Sequence, residues 1–108
     1  MSRARPAAVS PEAMRIHAEE ASSLLKALAH PDRLTVLCRL AEGEASVGQL
    51  NEQVDLSQSA LSQHLAVLRR SGVVDTRREG QMIHYRLADA KVQRILEAIH
   101  SIYCERKR

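Results

Sequence analysis

The stretch that decides the fold is residues 46–72, SVGQLNEQVDLSQSALSQHLAVLRRSG. Ser46 followed three residues later by Gln49 has the spacing of a helix-capping box, which predicts a short first helix. After a short turn, Ser57 is placed to cap a second helix and Gly72 to end it. The second helix has an apolar stripe at three- and four-residue steps, formed by Leu61, Leu65 and Leu68. Two short helices joined by so brief a turn predict a helix-turn-helix.

Two further helices are predicted before this stretch. Ser10 and Pro11 open the first, because serine caps a helix start and proline fits its first turn. Pro31 interrupts that helix and begins the next, since proline disfavours a helix interior. Gly43 is the expected end of this second helix.

After Gly72 the pattern changes from helix to strand and back. Residues 73–77 and 82–87 are β-prone runs on either side of Gly80, which predicts a β-hairpin, and Asp89 is placed to cap a last helix. The order is therefore helix, helix, helix-turn-helix, β-hairpin, helix. We predict a mainly α fold with a β-hairpin wing (α+β), that is, a winged helix-turn-helix.

The size and composition fit one domain with an aliphatic core. The chain has 108 residues and 12.0 kDa, which excludes a multidomain enzyme, and its aromatic residues are Tyr85 and Tyr103. We expect a flexible basic arm at residues 1–9 and one winged helix-turn-helix domain at residues 10–108, a fold typical of DNA-binding proteins that dimerise.

The sequence also bears on location. No apolar run approaches the ~20 residues that span a bilayer, and the first ten residues lack the apolar centre of a signal peptide. We therefore expect a cytoplasmic protein without a membrane partner.

The charged residues are unevenly distributed along the chain. The net charge of +3 is too small to identify a polyanion partner. However, residues 69–86 hold five arginines against two acids. Arg77 and Arg78 lead into the hairpin turn and Arg86 lies on the return strand, so a wing of this kind can place arginine on a phosphate or in a minor groove. The alternative is solubilising charge on an exposed ribbon.

The second helix of the helix-turn-helix has an outward face that suits a major groove. At 100° per residue, this face is formed by Ser59, Ser62, Gln63, Ala66 and Arg70. Serine and glutamine can bind base edges, and Ser57 with the helix N-terminus can take a phosphate, assisted by Gln58. His64 lies at the flank, where it touches DNA or bonds locally. An ordinary amphipathic surface helix is the alternative.

Apolar residues in the terminal helices predict a homodimer. The set comprises Leu25, Leu28, Ile95, Ile99, Ile102 and Tyr103. These side chains either cover one another within a monomer or form a two-fold interface. We favour the dimer, because a two-fold symmetric DNA-binding protein contacts two half-sites ~34 Å apart. Such a dimer predicts an imperfect inverted-repeat operator in double-stranded DNA.

The two cysteines, Cys38 and Cys104, match no zinc spacing. They are either two inert buried thiols or, if their Cα atoms come within ~6 Å, a pair able to form a disulfide or a longer sulfur bridge. No phosphate loop, nucleophile elbow or catalytic triad is present in the sequence, so we expect neither an enzyme nor a cofactor.

Three separated motifs carry a family resemblance over residues 24–104. They are LKAL with HPDRL (25–28 and 30–34), LSQSALSQHL (56–65), and RREGQ with YRL (77–81 and 85–87). In this order they resemble the ArsR/SmtB family of dimeric bacterial repressors. The resemblance implies a winged helix-turn-helix dimer that leaves its operator when an inducer binds or reacts.

The metal sites of that family do not carry over. Residues 46–48 stand where arsenic and cadmium sensors place a cysteine pair, and Lys91 and Ile102 stand where zinc sensors place histidines. An ammonium and an alkyl group cannot bind zinc at neutral pH. We therefore expect no bound metal at those positions.

The cysteine positions resemble a dithiol branch of the family, which includes HlyU-like and BigR-like regulators. By that resemblance Cys38 and Cys104 are the sensing pair, and the inducer is a reactive sulfur species or an oxidant. Two alternatives remain: a metal-responsive repressor that uses His84 or His100 with a thiol, and a protein-binding winged helix without DNA affinity.

Overall fold

The chain forms five helices and a small sheet, and the computed structural model describes residues 9–103. In chain order the elements are α1 (Pro11–Leu28), α2 (Pro31–Leu40), β1 (Ala45–Ser46), α3 (Val47–Gln53), α4 (Gln58–Arg70), β2 (Val74–Glu79), β3 (Met82–Leu87) and α5 (Ala90–Tyr103). The predicted winged helix-turn-helix is confirmed, with α3 and α4 as its two helices and β2–β3 as its wing. The predicted arm at residues 1–9 lies outside the described residues except for Val9.

Side-chain caps begin the helices at the predicted positions. Ser10 accepts a hydrogen bond from the backbone N–H of Ala13 (3.1 Å), and Ser57 accepts one from Ala60 (3.0 Å). Ser46 and Gln49 form the complete reciprocal capping box that begins α3. Each cap satisfies a backbone donor that the helix itself leaves unpaired, so the short helices of the helix-turn-helix have defined starts.

Two glycines with positive φ shape the segment after α4. Gly72 (φ 75°) follows the end of α4, and Gly80 (φ 63°) forms the turn between β2 and β3. Both angles fall in the left-handed region, where a side chain costs energy that glycine avoids. These two residues therefore set where α4 stops and where the wing folds back.

The sheet has three strands, where the sequence predicted a two-stranded hairpin. The order is β1-β3-β2 and all pairs are antiparallel; Ala45 pairs with Tyr85 and Ser46 with His84. The added strand is only two residues long, too short for a periodic pattern to reveal it. Through β1 the wing is joined directly to the start of α3.

An aliphatic core lies under α4 and joins α2, α3, the base of the wing and α5. Its largest fully buried side chains include Leu37, Leu50, Leu61, Leu65, Leu68 and Leu96. The predicted stripe of α4 therefore faces inward, as the leucine spacing required. Because α2 contacts α1, α3, α4, α5 and β3, it is the central helix of the domain.

The terminal helices are much less covered. On α1, Met14 and Leu25 are exposed; on α5, Ile102 is 71% and Tyr103 81% exposed. Within residues 9–103, no helix is apolar over enough of its length to cross a bilayer.

Candidate nucleic-acid interface and thiol groove

The outward face of α4 presents the polar side chains that the helical spacing predicts. All of the following are exposed: Ser59, Ser62, Gln63, Ala66 and Arg70. They lie opposite the buried leucines, so the core holds the helix while leaving this face open. Short hydroxyls, an amide and a guanidinium can reach base edges and phosphates without obstructing entry into a groove.

The start of α4 adds two exposed polar residues. Ser57 caps the helix through its Oγ, and Gln58 is the first helical residue. The positive end of the helix dipole lies here, which favours an anion beside it.

A shallow groove separates α4 from the base of the wing. It has a volume of about 480 Å³ and is lined by Val47, Ser62, Leu65, Ala66, Arg69, Arg70 and Tyr85. Arg69 and Arg70, at the end of α4, are among its lining residues, so polar and basic groups continue from the outward face of α4 towards the sheet.

His64 lies inward of this face, against the beginning of α2. Its side chain is 15% exposed, its Nε2 lies 3.6 Å from an Asp32 carboxylate oxygen, and its ring centroid is 4.6 Å from that of His30. Of the two roles weighed for His64, the local contact is the one seen here. A DNA contact by His64 stays a prediction.

His30, Asp32 and His64 form a cluster that sequence reasoning did not group. One potential ligand atom from each lies within 4.8 Å of the others, and two imidazoles with a carboxylate are a donor set that zinc accepts. However, Nδ1 of His30 accepts a hydrogen bond from the Asp32 backbone N–H (3.1 Å) and so caps α2. We interpret the cluster as a set of polar contacts between the start of α2 and α4. Nothing in the spacing of residues 30 and 64 indicates this proximity.

On the wing, Arg77 is held by two carboxylates. It donates from Nη2 to Oε1 of Glu44 (2.7 Å) and from Nε to Oε2 of the same residue (3.0 Å), while Nη1 lies 3.6 Å from Glu79. The hydrogen bonds from Arg77 lower the pKa of Glu44, and the same bonds raise the pKa of Arg77. Both groups are therefore charged throughout the neutral range.

The same face of the sheet carries further charged groups. Antiparallel pairing places Arg77 opposite His84 and Asp75 opposite Arg86. Nε2 of His84 is buried and lies 3.2 Å from Oε1 of Glu79, but without hydrogen-bond geometry. Charges of both signs thus alternate around Arg77.

Arg78 differs from its neighbour. Successive strand residues point to opposite faces, so Arg78 lies on the other face of β2, opposite Ile83. It is exposed, and no ion pair joins it to another residue between positions 9 and 103. Its guanidinium is therefore available to an external anion.

Cys38 is exposed on α2 and borders a groove between α2 and α5. The groove has a volume of about 300 Å³ and is lined by Cys38, Ala41, Glu42, Gln93, Leu96, Glu97 and His100. Gln93 donates to the Ala41 carbonyl (3.2 Å) and to Glu97 (3.0 Å), which ties α5 to α2 beside the thiol. Cys104, the other predicted sensing residue, lies outside the described residues.

The charges around this groove are mainly acidic. Glu42 and Glu97 line it together with His100. Arg39, which follows Cys38 in sequence, donates to the Gly43 carbonyl (3.0 Å) and to the side chain of Gln53. The guanidinium is thus bound towards α3 and does not line this groove, but Arg39 lines an adjoining groove together with Cys38 and His100.

Comparison with known proteins identifies relatives over most of the chain. Residues 30–76 match the profile of the bacterial regulatory proteins of the arsR family. Over 92 residues the chain is 53% identical to the biofilm growth-associated repressor of Agrobacterium fabrum, covering 85% of this chain and 79% of that protein. It is 48% identical to the transcriptional activator HlyU of Vibrio cholerae over 92 residues, covering 85% of both chains.

Two solved structures have the same fold. The transcriptional repressor BigR from Xylella fastidiosa superposes with a TM-score of 0.81 at 46% identity, covering 91% of this chain and 100% of that one. Reduced HlyU from Vibrio cholerae also gives a TM-score of 0.81, at 47% identity, covering 87% and 99% of the two chains.

Proposed function

Because the chain belongs to the arsR family of bacterial regulatory proteins, whose members regulate transcription and are not enzymes, we propose that it is a homodimeric repressor controlled by its thiols. It binds an inverted-repeat operator in the cytoplasm and leaves it when Cys38 and Cys104 are modified by a reactive sulfur species or an oxidant.

The DNA-binding part of this proposal assigns base contacts to α4, which is the recognition helix of the proposal, and phosphate contacts to the two ends of α4 and to the wing. Ser59, Ser62 and Gln63 read the major groove. The start and end of the helix and the wing contact phosphates through Ser57, Gln58, Arg70 and Arg78. The assignment is supported by the exposure of Ser59, Ser62, Gln63 and Arg70 on the side of α4 opposite its buried leucines, and by the exposure of Arg78 on β2.

The dimer is assigned to the terminal helices. Exposed Met14 and Leu25 on α1, with Ile102 and Tyr103 on α5, give more apolar surface than a helix facing only water requires. Burying this surface against a second copy of the chain would remove it from water. The same contact would fix the distance between the two copies of α4.

One observation carries the thiol switch: the groove beside Cys38 is built by α2 and α5 together. A bridge formed there links a helix that contacts α4 to a helix of the proposed dimer interface. Cys104 follows His100, a residue of the groove lining, by four positions in the sequence. One of the relatives was solved as a form named reduced HlyU, so a redox state is distinguished for that protein.

The direction of regulation is proposed as repression. The 53% identical relative is named a repressor, whereas HlyU is named an activator. A repressor occludes a promoter by binding, so loss of DNA affinity would switch transcription on. A reporter behind the chain's own upstream region tests this, since deletion of the protein should raise expression.

The thiol switch is tested by mobility shift on a duplex from that upstream region. Reduced protein should bind, and glutathione persulfide should weaken binding by about five- to 150-fold, the usual range for coupled sites. Cys38→Ser should bind with normal affinity and lose the response. Thr35→Ala, altered one turn away on α2, is the matched control and should respond like the wild type.

Intact mass identifies the product. A disulfide forms when both thiols lose their protons and pass two electrons to the oxidant, so the mass falls by two hydrogens. A polysulfide bridge also requires this loss of two protons and two electrons, with glutathione persulfide as both sulfur donor and electron acceptor and with glutathione and hydrogen sulfide as its products. The mass then rises by whole sulfur atoms less two hydrogens. Diamide and peroxide serve as comparison reagents, and zinc tests the metal-responsive alternative. An unchanged response of Cys38→Ser to persulfide would refute the switch, and absence of any duplex binding would favour a protein partner instead.

A further inference from the structure

We propose that Glu44 and Arg77 position the wing for DNA, and that Arg77 acts through this ion pair rather than by contacting a phosphate. The proposal rests on the DNA-binding function proposed above. It divides the two neighbouring arginines of β2 into different roles: Arg77 is a positioning residue and Arg78 is the phosphate contact.

The guanidinium of Arg77 is already bound to carboxylates of the protein itself. Two parallel N–H···O bonds join its Nε and Nη2 to both carboxylate oxygens of Glu44, at 3.0 and 2.7 Å. This two-pronged arrangement is the one in which arginine binds carboxylates and phosphates most specifically. Since Nη1 faces Glu79 at 3.6 Å, all three guanidinium nitrogens already face carboxylates.

The location of the pair explains what it positions. Glu44 immediately precedes β1, whose Ser46 caps α3, whereas Arg77 lies on β2. The strand order β1-β3-β2 separates these two strands by β3. The ion pair therefore reaches across the middle strand and ties the outer strand of the wing to the segment that begins the helix-turn-helix.

The charges around each arginine support the division of roles. A phosphate that approached Arg77 would have to displace Glu44 and would meet the repulsion of two carboxylates. Arg78, on the opposite face of β2, has no ion pair with any residue in the described range 9–103. Phosphate binding there releases counterions from DNA without breaking a protein contact.

The salt dependence of operator affinity separates the two roles. Arg78→Ala should lower the magnitude of the slope of log K against log salt concentration by about 0.9 per phosphate lost, or roughly 1.8 for a dimer with two wings. Arg77→Ala should weaken operator binding roughly fivefold, the scale of an exposed pair, with the slope unchanged. Glu44→Gln should reproduce the Arg77→Ala result.

A charge exchange provides the rescue. In the double variant Glu44→Arg with Arg77→Glu, the pair can form again with its partners reversed, so operator affinity should return to within about threefold of the wild type. If Arg77 instead contacts a phosphate, the exchange places a carboxylate against DNA and binding should fall below that of either single variant. Urea unfolding of each variant verifies that the fold is retained.

The positioning role of the Glu44–Arg77 pair can also be tested without DNA. In a ¹H–¹⁵N spectrum of the uncomplexed protein, the Nε–H of Arg77 should give a protected signal that is lost in Glu44→Gln, and amides of β2 should exchange faster in that variant. An unchanged signal and unchanged exchange would overturn the positioning role, even if the wild type bound no duplex and the proposed function failed. A slope change in Arg77→Ala equal to that of Arg78→Ala would also overturn it.

Discussion

Replacing Gln63 by alanine should relax operator specificity without changing stability. Gln63 is exposed on α4, and its amide has no hydrogen bond to another residue of the described range. The free energy of unfolding should therefore stay within about 0.5 kcal/mol of the wild type, as for other surface changes. A two-pronged amide–adenine contact contributes about 1–3 kcal/mol of discrimination between bases.

The proposed dimer binds two half-sites, and each contains one Gln63 contact. If these well-separated contacts are additive, Gln63→Ala should weaken the free energy of operator binding by about 2–6 kcal/mol. Even the lower value corresponds to roughly a thirtyfold weaker operator complex. The loss should be confined to operator duplexes, and binding to unrelated duplexes should be unchanged.

Fluorescence anisotropy on the operator, and on duplexes with each base pair changed in turn, measures this effect. Wild-type protein should lose affinity at one position of each half-site, and Gln63→Ala should become indifferent to that position alone. Ser22→Ala, an exposed change on α1, serves as a control and should keep the wild-type pattern. Equal weakening on every duplex, or full retention of base preference, would show that Gln63 does not read a base.

Three further outcomes follow from the fold. Leu65→Ala, at a nearly fully buried position of α4, should lower the unfolding free energy by about 2–5 kcal/mol in urea titrations; a loss below about 1 kcal/mol would contradict its place in the core. The lowered pKa of Glu44 means that its stabilisation is complete above the ordinary carboxyl pKa and is lost as pH falls through the folded-state value, so the stability difference between wild type and Glu44→Gln should shrink in acid. Leu25→Glu should shift the dimer towards monomer in sedimentation velocity, and an unchanged dimer would place the interface elsewhere.

Local signals account for what the sequence could predict. The caps at Ser46 and Ser57, and the leucine steps of α4, act within one or two turns, so they identify each helix without knowledge of the rest of the chain. The glycines at the end of α4 and in the hairpin act in the same way through their own backbone angles. The order of elements then followed, and with it the winged helix-turn-helix.

Contacts between distant residues explain what the sequence could not predict. Glu44 and Arg77 are 33 positions apart, and the strand that brings the first near the second has only two residues. His30 and His64 meet because α2 packs on α4, which no spacing in either motif indicates. The apolar residues of α1 and α5 favoured a dimer in the sequence, and this stays a prediction, because the same apolar pattern serves packing within one chain and between two.

The position of α2 sets how far a movement at Cys38 would displace the residues beside α4. Asp32, beside the recognition helix, and Cys38, beside α5, are six residues apart on one uninterrupted helix, about 9 Å along its axis. A rod of that length tilted by roughly 10° about its thiol end moves its far end by about 1.5 Å. Nε2 of His64 lies 3.6 Å from the Asp32 carboxylate, and a displacement of this size would change that distance by a large fraction. A small rotation of α2 at the groove would therefore alter a contact between α2 and α4.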